Sequence, residues 1–123
     1  MANPFEKYLG KEDKFQRAVI KYLDYQHKEV IYTHPNNEGR RTAYERFKLK
    51  VLGVKAGVPD LLIFNPNDKY NGLAIELKIK YNQPTKSQIK WLTDLEKCGW
   101  FTAVGRDFES VKELINKYLN HEL

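Results

Sequence analysis

The chain has 123 residues, with 21 Lys+Arg against 16 Asp+Glu, a formal charge of +5 at pH 7 and 41% hydrophobic residues. That length suits one domain and not two, and the apolar content is too high for a disordered chain. No run reaches the roughly 18–20 apolar residues of a membrane span. The start, Met1 to Lys7, has no apolar core of a secretory signal. One cysteine, Cys98, and three separated histidines (His27, His34, His121) provide neither a disulfide nor a Cys/His zinc cluster. A soluble intracellular protein is expected, and its mild basicity is compatible with a nucleic-acid partner.

In chain order, residues 11–28 read as a helix, with Phe15, Val19, Tyr22 and Leu23 at helical spacing and no Gly or Pro inside. Val30 to Thr33 is a short β-rich run stopped by Pro35. Pro35 to Gly39 is turn chemistry. The basic stretch Arg40 to Lys50 is ambiguous: Thr42 to Leu52 suits either a short helix or a loop, and Gly53 and Gly57 mark a loop after it. Pro59 to Phe64 reads as a strand, Asn65 to Gly72 as a turn cluster, and Leu73 to Lys80 as an alternating strand. Thr85 and Gln88 have the spacing of a capping box at the head of a helix carrying Trp91, Leu92 and Leu95, with Gly99 at its end. Trp100 to Val104 is another strand, and Asp107 caps a last helix with Val111, Leu114, Ile115 and Tyr118 on its buried face. Cys98 reads as a small packing residue, and Tyr22, Trp91, Trp100 and Phe101 as core aromatics. The expected order is α-β-loop-β-β-α-β-α, an α/β fold with a central mixed sheet flanked by helices.

The chemistry concentrates between Asp60 and Lys78. If the two strands form a hairpin, Asp60 and Glu76 lie equally far from residue 68, in the middle of the turn cluster. They then oppose one another on one sheet face, with Cβ atoms about 4.5–5.5 Å apart. Lys78 shares that face, while Leu73, Ile75, Leu77 and Ile79 point to the core. Opposed carboxylates repel unless a proton, a cation or a metal compensates. Their oxygens suit a hard cation such as Mg²⁺, which takes one or two carboxylates plus water and phosphate oxygens. Beside them Lys78 could orient a water or stabilise charge on a phosphate, which matches metal-assisted phosphodiester hydrolysis. The alternative is a solvated strand face with one Glu–Lys pair. On the first helix Glu12, Gln16, Val19 and Leu23 form one stripe, so Glu12 and Gln16 extend the buried face toward the site. Glu12 also suits ordinary first-turn helix chemistry, and Gln88 is accounted for by its cap.

Pro59-Asp60, then Glu76-Leu77-Lys78, has the form PD…ExK, which resembles the PD-(D/E)XK nuclease superfamily. Pro35 to Arg40, Gly53 to Asp60, Gly72 to Lys78, and Gln88 with Trp91 narrow the resemblance to the VRR-Nuc family, in its small stand-alone phage and prophage form. It covers roughly residues 12–105 and departs nowhere at the PD…ExK positions. The resemblance implies a restriction-endonuclease-like core over a single domain, residues 1–123. It implies Mg²⁺ or Mn²⁺ held by Asp60, Glu76 and the main-chain carbonyl of Leu77, with Lys78 as catalytic lysine. Glu12 matches the acidic residue such nucleases carry on the first helix and is a further candidate ligand, and Gln88 matches a glutamine beside the site. Glu38 falls in the family's NEG loop, with no role assigned. Relatives of this form are homodimers that cut branched DNA, so a four-way junction is the expected substrate and the bacterial cytoplasm the expected setting. Arg40, Arg41, Arg46, Lys48, Lys50 and Lys55 are expected to contact DNA phosphates, the alternative being a solvated basic loop, with Tyr44 and Phe47 interleaved either to stack on bases or to pack. The rivals are a nuclease for linear duplex or single-stranded ends, and a DNA-binding module without catalysis.

Overall fold

The computed structural model describes residues 3–35 and 42–123. Arg40 and Arg41, expected to contact DNA, and Glu38 lie outside the described residues. After a 3₁₀ turn at Glu6–Tyr8, which the sequence pattern did not announce, the elements are α1 (Lys11–Gln26), β1 (Tyr32–Thr33), α2 (Ala43–Val51), β2 (Leu61–Ile63), β3 (Leu73–Leu77), α3 (Lys86–Lys97), β4 (Phe101–Gly105) and α4 (Phe108–Leu119). The expected loop between the first two strands therefore contains a helix. Thr42 starts it: its hydroxyl accepts from the Glu45 N–H at 3.1 Å.

The four strands lie in the order β1-β2-β3-β4, the first two pairings antiparallel and β3–β4 parallel. This is the mixed sheet expected. β2 pairs β3 as Leu61↔Ile75, Leu62↔Ala74 and Ile63↔Leu73, so the hairpin register continues to Asp60 opposite Glu76. β3 is central and every one of its residues is buried. Leu73, Ile75 and Leu77 join Val19 and Leu23 of α1 and Val111, Ile115 and Tyr118 of α4 in one core. The alternate position, Glu76, meets α3 through Gln88. Each apolar side chain fully buried here contributes about 1.5–3 kcal/mol.

β3 stops at Leu77, short of Lys80. Lys78 N–H still reaches the Gly105 carbonyl at 2.9 Å, but the chain then turns, with Lys80 at φ 52°. Arg106 holds that turn by donating to the carbonyls of Lys80 and Asn82, at 3.2 and 2.7 Å. Ile79 is only half-buried. Tyr22, Trp91, Trp100 and Phe101 are half-buried as well, and Cys98 is exposed, so it is not the packing residue expected. Among the described residues no helix is long and apolar enough to cross a membrane.

Candidate active site

The C-terminal end of β3 and the first turns of α1 and α3 converge on the charged residues. Glu76 has 1% exposure, which makes it a carboxylate inside the protein and rules out the solvated strand face. Its Oε1 accepts from Gln88 Nε2 at 3.0 Å and lies 3.9 Å from Lys78 Nζ, whose side chain is 13% exposed. A buried carboxylate is tolerated when hydrogen bonds and a countercharge replace its water. Gln88 also caps its own helix: Thr85 N–H donates to its Oε1 at 2.8 Å, and its own N–H donates to Thr85 Oγ1 at 3.2 Å. One side chain thus performs both functions, the cap and the site contact, that its spacing alone leaves as alternatives.

Asp60 Oδ2 accepts from the Leu77 N–H at 2.8 Å. This bond ties the start of β2 to the end of β3 and sets the Asp60 carboxylate beside the Leu77 main chain. Asp60 and Leu77 line a cleft with Glu12, Asp13, Gln16 and His34. Asp13 supports the start of α1, its Oδ2 accepting from the N–H of the N-cap residue Gly10 at 3.0 Å. Gln16 places its Nε2 in the interior without a hydrogen-bond partner among the described residues.

The predicted residues therefore fall into two adjoining groups. Glu76, Lys78 and Gln88 form one network, Glu12 and Asp60 line the cleft, and the Asp60–Leu77 bond joins them. Among the described residues no three His, Cys, Asp or Glu side chains are gathered closely enough to hold a metal ion. A cation at this strand end would draw on one or two carboxylates and complete its shell with carbonyl, water and phosphate oxygens. That all-oxygen set fits Mg²⁺ or Mn²⁺.

The basic residues belong to α2 and the loop after it. Arg46, Lys48 and Lys50 are exposed along α2, a helix with no buried residue, and Lys55 is exposed in the loop that follows. Tyr44 and Phe47 are 69% and 64% exposed, so they do not pack into the chain. The loop after α2 docks on α3: Trp91 Nε1–H donates to the Ala56 carbonyl at 3.1 Å, and Gly57, at φ +84°, lies so near Ser87 that a Cβ would come within 2.7 Å of its main chain. Gly57 thus permits a close approach to the protein itself. Sequence reasoning assigned nothing to His34, which lies in the cleft; the only signal was its position before Pro35.

An α/β fold with a buried, cation-paired carboxylate at the end of an inner strand presents a charged candidate site. A family model, the VRR-NUC domain, matches residues 6–106. The chain belongs to this nuclease-related family. A solved structure described as a VRR_NUC domain protein is similar at 28% identity and a TM-score of 0.75, over 91% of this chain and 90% of that one. A search of the curated proteins found no match.

Proposed function

We propose that the chain, acting as one nuclease domain, is a Mg²⁺- or Mn²⁺-dependent DNA endonuclease whose preferred substrates are branched, four-way junctions among them. The observation that carries this reading is the buried Glu76, held by Gln88 and Lys78 one residue away from the Asp60–Leu77 bond. Asp60, Glu76 and the Leu77 carbonyl would hold the ion, with Glu12 across the cleft. When bound there, the ion supplies polarisation of the scissile phosphate. Lys78 keeps its ammonium at the site through Glu76 and directs it at the water or the developing phosphate charge. Gln88 holds Glu76 in place. Arg46, Lys48, Lys50 and Lys55 give sequence-independent backbone affinity, and the exposed rings of Tyr44 and Phe47 suit stacking on bases opened at a junction. Family likeness adds a homodimer, phage origin and a place in the PD-(D/E)XK superfamily to the proposal.

The test is cleavage of a labelled four-way junction beside a linear duplex of matched sequence, with Mg²⁺, Mn²⁺ or EDTA. Asp60→Asn keeps an oxygen for the Leu77 N–H, so it should fold normally yet lose metal-dependent cutting. Lys78→Ala should still bind Mn²⁺ and lose most of its rate. Cutting of both substrates removes the junction preference; DNA binding without cutting under any metal supports the binding-module alternative.

A further inference from the structure

We infer that His34 is a positioning residue of this site, acting through its Nδ1–H on the main-chain carbonyl of Asp60. Strand register is the starting point. β1 and β2 pair as Tyr32↔Ile63 and Thr33↔Leu62, and the Phe64 N–H donates to the Ile31 carbonyl at 2.8 Å. In an antiparallel ladder the hydrogen-bonded pairs alternate. The pair after Ile31/Phe64 is therefore Thr33/Leu62, and the next is Pro35/Asp60. A proline has no N–H, so at that position the ladder cannot satisfy the Asp60 carbonyl. His34 replaces the missing donor: its Nδ1 is hydrogen-bonded to the Asp60 carbonyl oxygen. A carbonyl only accepts, so Nδ1 carries the hydrogen. The ring lines the same cleft as Asp60, Glu12 and Gln16.

The consequence lies in where Asp60 points. Its carboxylate is fixed at one end by the Leu77 N–H, and its main chain is fixed by His34 just where the β1–β2 ladder ends. Without the imidazole, the hydrogen bonds of residue 60 among the described residues would reduce to the one from Leu77 of β3. Partners that orient ligands of a site typically contribute about 10–100-fold to metal affinity or rate.

This inference rests on the nuclease reading for its activity readout, and a second readout does not. An Asn amide nitrogen takes the place of Nδ1, whereas a Gln amide nitrogen takes the place of Nε2. His34→Ala and His34→Gln should lose about tenfold or more in kcat and in Mn²⁺ affinity measured by calorimetry without DNA. His34→Asn should keep most of both. In parallel, hydrogen exchange at the Leu77 amide, which reports the Asp60 bond without metal or substrate, should speed up in Ala and Gln but not in Asn. Gln matching wild type while Asn fails would overturn the inference, because Nε2 would then be the working atom. Three variants indistinguishable from wild type in Leu77 exchange and Mn²⁺ affinity would overturn it as well. If wild type neither cuts DNA nor binds Mn²⁺, the nuclease reading fails, and the Leu77 amide still decides the role of His34.

Discussion

Glu76 meets an amide from Gln88 and an ammonium from Lys78 in a setting with almost no water. Substituting Gln88 by Glu separates its two roles. The new carboxylate can still accept from Thr85 N–H, so the start of α3 keeps its cap, but the 3.0 Å bond to Glu76 becomes a contact between two carboxyl groups. Gln88→Glu should destabilise the metal-free protein by about 1–3 kcal/mol, the range for a buried group that loses its partner. Mn²⁺ should return part of that loss, because a cation offsets two carboxylates. Thermal unfolding with and without Mn²⁺ checks both; an unchanged midpoint would mean that the Gln88–Glu76 bond does not stabilise the fold. The spacing of Thr85 and Gln88 did not reveal this bond, since the capping box already explained both residues; only the family resemblance set Gln88 beside the site, and it named no partner. His34 was hidden for a related reason: its role follows from the neighbouring proline facing Asp60, just before β2, and spacing within one strand does not reveal that.

Among the elements, β1 is the least anchored by the sheet, since it is an edge strand of two residues. Tyr32 fastens it to α1 by donating its hydroxyl to Asp24. Burial, reinforced by that carboxylate, pushes the Tyr32 hydroxyl up to about 12. The folded chain then holds this proton more tightly than the unfolded chain, whose tyrosine titrates near its ordinary value of about 10. The stabilising contribution is complete below pH 10 and is lost as pH rises from 10 to 12. Urea unfolding across that window should show stability falling with pH in wild type and falling less steeply in Tyr32→Phe. Parallel slopes would remove the Tyr32–Asp24 attachment as the cause. The hairpin register, by contrast, could be read in advance. The turn residues Asn65 to Gly72 fixed its centre, and the alternation of Leu73, Ile75 and Leu77 fixed which face is inside, so Asp60 opposite Glu76 followed. The helix α2 stayed ambiguous because it buries no face, and without a buried face its sequence has no periodic stripe that must be satisfied.

For the whole molecule, the exposed positive charge of α2 and the buried carboxylate of β3 belong to different elements. The net charge is +5, and Arg46, Lys48 and Lys50 lie along α2, while the carboxylates sit at the end of β3. Under the proposed function, α2 holds DNA and the strand end reacts with it. Lys48→Gln combined with Lys50→Gln should weaken DNA binding and flatten the dependence of log affinity on log salt by about 0.9 for each phosphate no longer neutralised. Cleavage at saturating DNA should change little. A salt slope equal to that of wild type would take α2 out of the DNA interface. The exposed face of α2 has a consequence for how such a protein diversifies. Among the described residues α2 buries no side chain, so exchanges on its exposed face leave the core packing untouched. Glu76, locked into the central strand, has no such freedom. Under the proposed function, descendants of this chain, natural or designed, would acquire new nucleic-acid targets by rewriting one helix while inheriting the reaction unchanged.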